Sequence, residues 1–166
     1  MPGIEQFADP TIVMFGKLFL ALVLGAVIGT ERAIIAKQVA GTRTFATVAL
    51  GSCLFIVTAN YVSFAYLGVM NFDPLRTAAA VITGIGFLGA GLIIFRSNSL
   101  HGVTTAAGLW LVAGIGMAVG FGMYAIAIFS TVLTLLTFSG VWYMEYRFKH
   151  WFVETYDDDN VPMPKP

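Results

Sequence analysis

The residues able to do chemistry are few, and most of them sit where apolar runs begin or end. Glu31 and Arg32 close the first such run. A carboxylate at the C-terminus of a helix opposes the helix dipole, so Glu31 calls for a cation, and Arg43 and Arg96 are expected on its side. Two arrangements stay open: a solvated interfacial pair, or a buried polar knot at the mouth of a helix bundle. Asp73-Pro74-Leu75-Arg76 opens the third run, and Asp at the N-cap with Pro at the first helical position accounts for it as a helix start. Thr104 and Thr105 open the fourth run and can cap it or bond across helices. Cys53 is mid-run, where a lone thiol packs as a small apolar group. His101 has no second ligand at metal spacing. No nucleophile–base–orienter set and no carboxylate pair is visible. An enzyme is therefore not expected, and no catalytic residue, metal site or cofactor is assigned.

Glycines form the other recurrent pattern. Gly84-Ile85-Gly86-Phe87-Leu88-Gly89 matches the dinucleotide fingerprint, but that motif needs a preceding strand and an acid about 20 residues on. Here it lies inside an apolar run, and the next acid is Glu145. Close helix packing is the expected role, because glycine lets backbones approach where lipid gives no hydrophobic drive. Gly25, Gly29, Gly84, Gly86, Gly89, Gly91, Gly116 and Gly120 are assigned to such contacts. Whether these contacts lie within one chain or between chains stays open.

The elements that hold these residues follow from composition. Of 166 residues, 58% are apolar and 11% are charged, against about 25% charged in soluble domains. Such a chain cannot cover a water-facing surface. Its zero formal charge argues against a nucleic-acid partner. A bilayer span takes about 20 apolar residues, and five runs qualify: 11–30, 44–67, 78–95, 103–119 and 121–144. Gly120 and Gly122 permit the turn between the last two. All five are read as helices, since open strand edges cannot face lipid. The expected architecture is an all-α polytopic bundle of five transmembrane helices over residues 1–144. An aromatic and basic interfacial segment follows over 145–166, with a disordered end.

Orientation comes from Lys and Arg. Arg32, Lys37, Arg43, Arg96, Arg147, Lys149 and Lys165 fall on one side and Arg76 alone on the other. The N-terminus is expected outside and the C-terminus in the cytoplasm, with no cleavable signal peptide. Gly41-Thr42-Arg43-Thr44 and Gly102-Val103-Thr104-Thr105 hint at a repeat of two hairpins. The lipid bilayer is the expected surrounding. A homo-oligomer, with a dimer favoured, is expected from the glycine faces, and another membrane protein is a second candidate partner.

Three stretches together resemble the MgtC/SapB family of bacterial membrane proteins. They are Gly29-Thr30-Glu31-Arg32 with Gly41-Thr42-Arg43-Thr44, then Asp73-Pro74-Leu75-Arg76-Thr77-Ala78-Ala79 running into Gly84 to Gly91, and Gly102-Val103-Thr104-Thr105-Ala106-Ala107-Gly108-Leu109-Trp110. The resemblance implies an inner-membrane protein with five spans, linked to growth at low magnesium and, in pathogens, to survival inside macrophages. It implies a regulatory role more than transport, with a Mg²⁺ or other ion transporter or channel as the alternative. The family's polar positions map onto Glu31, Arg32, Arg43, Thr44, Asp73, Arg76, Thr104 and Thr105. Long members carry a soluble domain after the last span, and this sequence ends about twenty residues beyond it, which puts functions of that domain in doubt here.

Overall fold

The computed structural model describes residues 9–34, 40–65, 73–96, 99–140 and 143–144. The expected interfacial segment and tail, 145–166, lie outside the described residues. Among the described residues the fold has five helices: α1 (Pro10–Ile34), α2 (Thr42–Ala65), α3 (Pro74–Leu92), α4 (Val103–Gly120) and α5 (Tyr124–Leu135), the last continuing as a π-helical segment over Leu136–Gly140. Four are long and apolar enough to cross a bilayer, and the fifth is a shorter apolar helix over Tyr124–Gly140. At 1.5 Å per residue, α1 is about 37 Å long and α5 with its π segment about 25 Å.

Local chemistry sets the ends. The Asp73 carboxylate accepts the Leu75 N–H at 2.9 Å, with Pro74 at the first helical position, as the sequence predicts. Phe121 and Gly122 make the turn from α4 to α5, with Gly122 at φ +79°. The third run departs from expectation. Its helix stops at Leu92 rather than reaching residue 95. Ile93 turns extended, and Ile94–Arg96 (β1) pairs antiparallel with Ser99–His101 (β2). β-branched and aromatic residues at 93–95 suit a strand. Gly102, at φ +85°, then brings the chain back against the Leu92 carbonyl, where a Cβ would collide.

The helices alternate in direction. Gly25 lies against Phe45, Ala46 and Ala49, and Gly29 against Thr42 and Phe45, so α1 runs antiparallel to α2. Gly108 meets Phe45, Gly116 meets Ala49, and Gly120 meets Cys53 and Ile56, so α4 runs parallel to α2. α3 packs on α4 and more loosely on α2, and α5 returns along α4 and touches α1. Ile28, Phe45, Ala49, Cys53, Leu109, Val112 and Val119 form the core of these seams. In lipid the gain is close van der Waals contact, since acyl chains are as apolar as the core. Buried Thr131 and Thr134 donate to the Ala127 and Ser130 carbonyls at 2.8 and 2.7 Å, so their hydroxyls stay satisfied.

Candidate functional site

Glu31 and Arg32 occupy the last turns of α1, on the same side as buried Ile28 and Gly29. They are 8% and 5% exposed. What buries them is the end of α5. Its inward stripe is Ala127, Thr131 and Thr134. A regular helix would turn about 100° between successive residues. The wider π segment bonds i to i+5 and turns less per residue, which lets neighbouring Phe138 and Ser139 both reach inward. The Ser139 hydroxyl donates to Glu31 Oε1 at 3.2 Å. The Arg32 guanidinium lies over the Phe138 ring, 4.4 Å from its centre. Phe138 in turn touches Gly108, beside Phe45 of α2.

The arrangement buries two opposite charges on successive residues, with no salt bridge between them. It is only partly satisfied: Glu31 Oε2 and Arg32 Nε are buried with no hydrogen-bond partner among the described residues. Desolvating each ion costs several kcal/mol even after relaxation. A desolvated cation–π contact returns about 2 kcal/mol. Close by, the Thr30 and Thr42 hydroxyls share a hydrogen bond of 3.1 Å that ties α1 to the start of α2.

The structure brings some predicted site residues together and not others. Glu31 and Arg32 are both buried against the end of α5, beside Ser139 and Phe138 respectively. Arg43, predicted as a cation for Glu31, is exposed on the first turn of α2. The physical reason is register: Thr42 and Phe45 take the positions facing α1, and Arg43 falls between them. Arg96 closes β1, and its side chain lies outside the described residues. Thr44 lines a groove between α2 and α3. Thr104 is exposed and Thr105 buried at the start of α4. Asp73 and Arg76 are exposed at the opposite end of the bundle. The glycines divide. Gly25, Gly29, Gly116 and Gly120 are backbone contacts within the chain, and Gly89 lies near Ala106. A Cβ on Gly84, Gly86 or Gly91 would meet nothing within 4 Å. Sequence reasoning missed Ser139, Phe138 and the Thr30–Thr42 bond. Serine and phenylalanine are ordinary in an apolar run, and only the π segment aims them at the pair. Among the described residues, no three of His, Cys, Asp and Glu gather to hold a metal ion.

A family model described as the MgtC family matches residues 18–146. Among curated proteins, the "Putative magnesium transporter YhiD" of Escherichia coli K12 is 44% identical over 123 residues, covering 72% of this chain and 56% of that one. Protein SapB of Bacillus subtilis is 37% identical over 138 residues, covering 81% and 58%. Protein MgtC of Salmonella typhimurium LT2 is 41% identical over 119 residues, covering 72% and 48%. The chain spans about half the length of these relatives. No solved structure matches it significantly.

Proposed function

The chain belongs to the MgtC family, and from that premise we propose that it is a bacterial inner-membrane protein of magnesium homeostasis that acts as a regulator or interaction protein. The relatives' names support the magnesium link: one is called a putative magnesium transporter, which is also the competing reading. The observation that favours regulation is the closed interior. A conduit needs polar groups or water through the depth of the membrane. Between the two ends of this bundle the seams of α2 with α1 and with α4 are closed by close contact at Gly25, Gly116 and Gly120. Fully buried Ile28, Cys53, Ile56, Val112 and Val119 fill what remains. The polar knot caps one end, and its carboxylate already has a cation beside it. A magnesium ion prefers one or two free carboxylates and retained waters.

In this reading the protein supports growth at low magnesium by contact with other membrane components and has no enzymatic activity. The test is ion flux into proteoliposomes holding the purified protein alone. Mg²⁺ entry no faster than into empty vesicles is expected. Saturable, protein-dependent Mg²⁺ uptake would overturn regulation in favour of transport.

A further inference from the structure

Of the four long helices α3 is the least buried, and its seam with α2 is open along one side. Two adjoining cavities, of about 550 and 410 Å³, share Val48 and Leu88 and form a single groove between the two helices. Its walls mix large apolar side chains, such as Phe55, Ile85 and Leu88, with small residues: Gly51 and Ser52 on α2, and Ala80, Gly84 and Gly91 on α3. A Cβ on Gly51, Gly84 or Gly91 would meet nothing within 4 Å, whereas one on Gly25, Gly29, Gly116 or Gly120 would strike a neighbouring helix. The other outward faces carry large residues suited to acyl chains, such as Phe15 and Phe19 on α1 and Phe129 and Leu133 on α5. The groove therefore has the composition of a helix contact but holds no helix of this chain. Ser52, a polar residue only 3% exposed, lines it. A neighbouring helix can bond to such a hydroxyl, and an acyl chain cannot.

The α3 face is also complementary to itself. Arg76, Thr77, Ala80, Gly84, Phe87 and Gly91 recur at i, i+1, i+4, i+8, i+11 and i+15, one stripe down the helix. Phe87 is 82% exposed and stands between the open spaces at Gly84 and Gly91, a knob flanked by two holes. At the head of the stripe, Asp73 and Arg76 are exposed, opposite in charge and one turn apart, and neither forms an ion pair among the described residues. A two-fold axis beside α3 would set each acid against the other copy's base and each ring against the other copy's glycines. A surface complementary to itself is what an isologous dimer requires.

We propose that the α2–α3 groove seats a second copy of this chain, the two α3 helices packing about a two-fold axis with Phe87 over the partner's glycines and Asp73 opposite the partner's Arg76. The test is oxidative crosslinking in native membranes. Cys53, the single cysteine, is first replaced in C53A. Ala80→Cys and Gly84→Cys are then expected to give a disulfide-linked dimer, and Gly16→Cys, on the exposed face of α1, none. Adding Gly84→Leu to the Ala80→Cys chain should abolish the dimer while the melting temperature of the detergent-solubilised monomer holds, since the added side chain meets open space within the chain. Asp73→Arg should also weaken crosslinking, and Asp73→Arg with Arg76→Asp should restore it. A folded protein that does not crosslink through α3 overturns the proposal. So does a dimer that survives Gly84→Leu, or an adduct whose mass shows a different protein. Labelling of lipid alone by a photoreactive group at residue 84 would assign the groove to acyl chains.

Discussion

Removing one member of the Glu31–Arg32 pair leaves the other charge buried, and that sets the expected size of the effect. Stranding a buried charge costs about 3–5 kcal/mol, a large share of the stability of a small bundle. Glu31→Gln and Arg32→Gln should each destabilise on that scale in thermal unfolding in mild detergent. The double change should be milder than the sum, because the two opposite charges are adjacent and buried together. Strict additivity would show that the charges do not act as a pair. Ser139→Ala removes the hydroxyl that donates to Glu31 Oε1. Hydrogen bonds to charged groups contribute about 1.5–3 kcal/mol, and a loss in that range is expected. Arg43→Gln is the contrast. Its side chain is exposed, and exposed charges contribute about 0–1 kcal/mol, so its melting curve should barely move.

At the scale of elements, the seams depend on which glycines touch a neighbouring backbone. A methyl on Gly116 would run into the Ala49 carbonyl, and one on Gly25 would lie 2.7 Å from both Ala49 Cβ and the Phe45 carbonyl oxygen. Backbone cannot swing aside as a flexible side chain can, so Gly116→Ala and Gly25→Ala should cost at least the 1–3 kcal/mol typical of overpacking, by about the same measure of unfolding. Gly86→Ala meets nothing within 4 Å and should leave stability unchanged or slightly raised, since alanine favours the helix. Equal melting temperatures for Gly86→Ala and Gly116→Ala would contradict the observed packing. The π segment is a second element-level device. It widens the last turns of α5 where the polar pair must be met, as such segments often do at functional sites.

At the scale of the whole molecule, sidedness determines which partners the knot and the α3 head can meet. The basic residues divide seven to one between the two ends expected from the spans, and from that split we propose that the C-terminus lies in the cytoplasm. A C-terminal reporter should therefore be active when it is of the cytoplasmic kind and silent when it is of the periplasmic kind; the reverse pattern would invert the topology. In the proposed orientation Glu31 and Arg32 face the cytoplasmic interface, and Asp73 and Arg76 face outward.

How much of this was legible in the sequence depends on the range of the interaction concerned. Run length and low charge determined the helical membrane class, because a bilayer leaves the backbone no other partner than its own helix. The start of α3 at Asp73-Pro74 and the turn at Gly122 were readable because caps and positive-φ turns are local chemistry. The family was readable from three spaced motifs. The hairpin at Ile94–His101 was not, because an apolar run reads alike as the end of a span or as a short strand until Gly102 folds it back on Leu92. Only the tertiary structure divided the glycines into those buried in seams and those left open at Gly84, Gly86 and Gly91, since glycine carries no side chain to reveal which face will be covered. Only the tertiary structure, too, replaced Arg43 with Ser139 beside Glu31 and set Phe138 under Arg32. Those contacts join the first helix to the last, more than a hundred residues along the chain, and sequence spacing holds no information about which distant turns will meet.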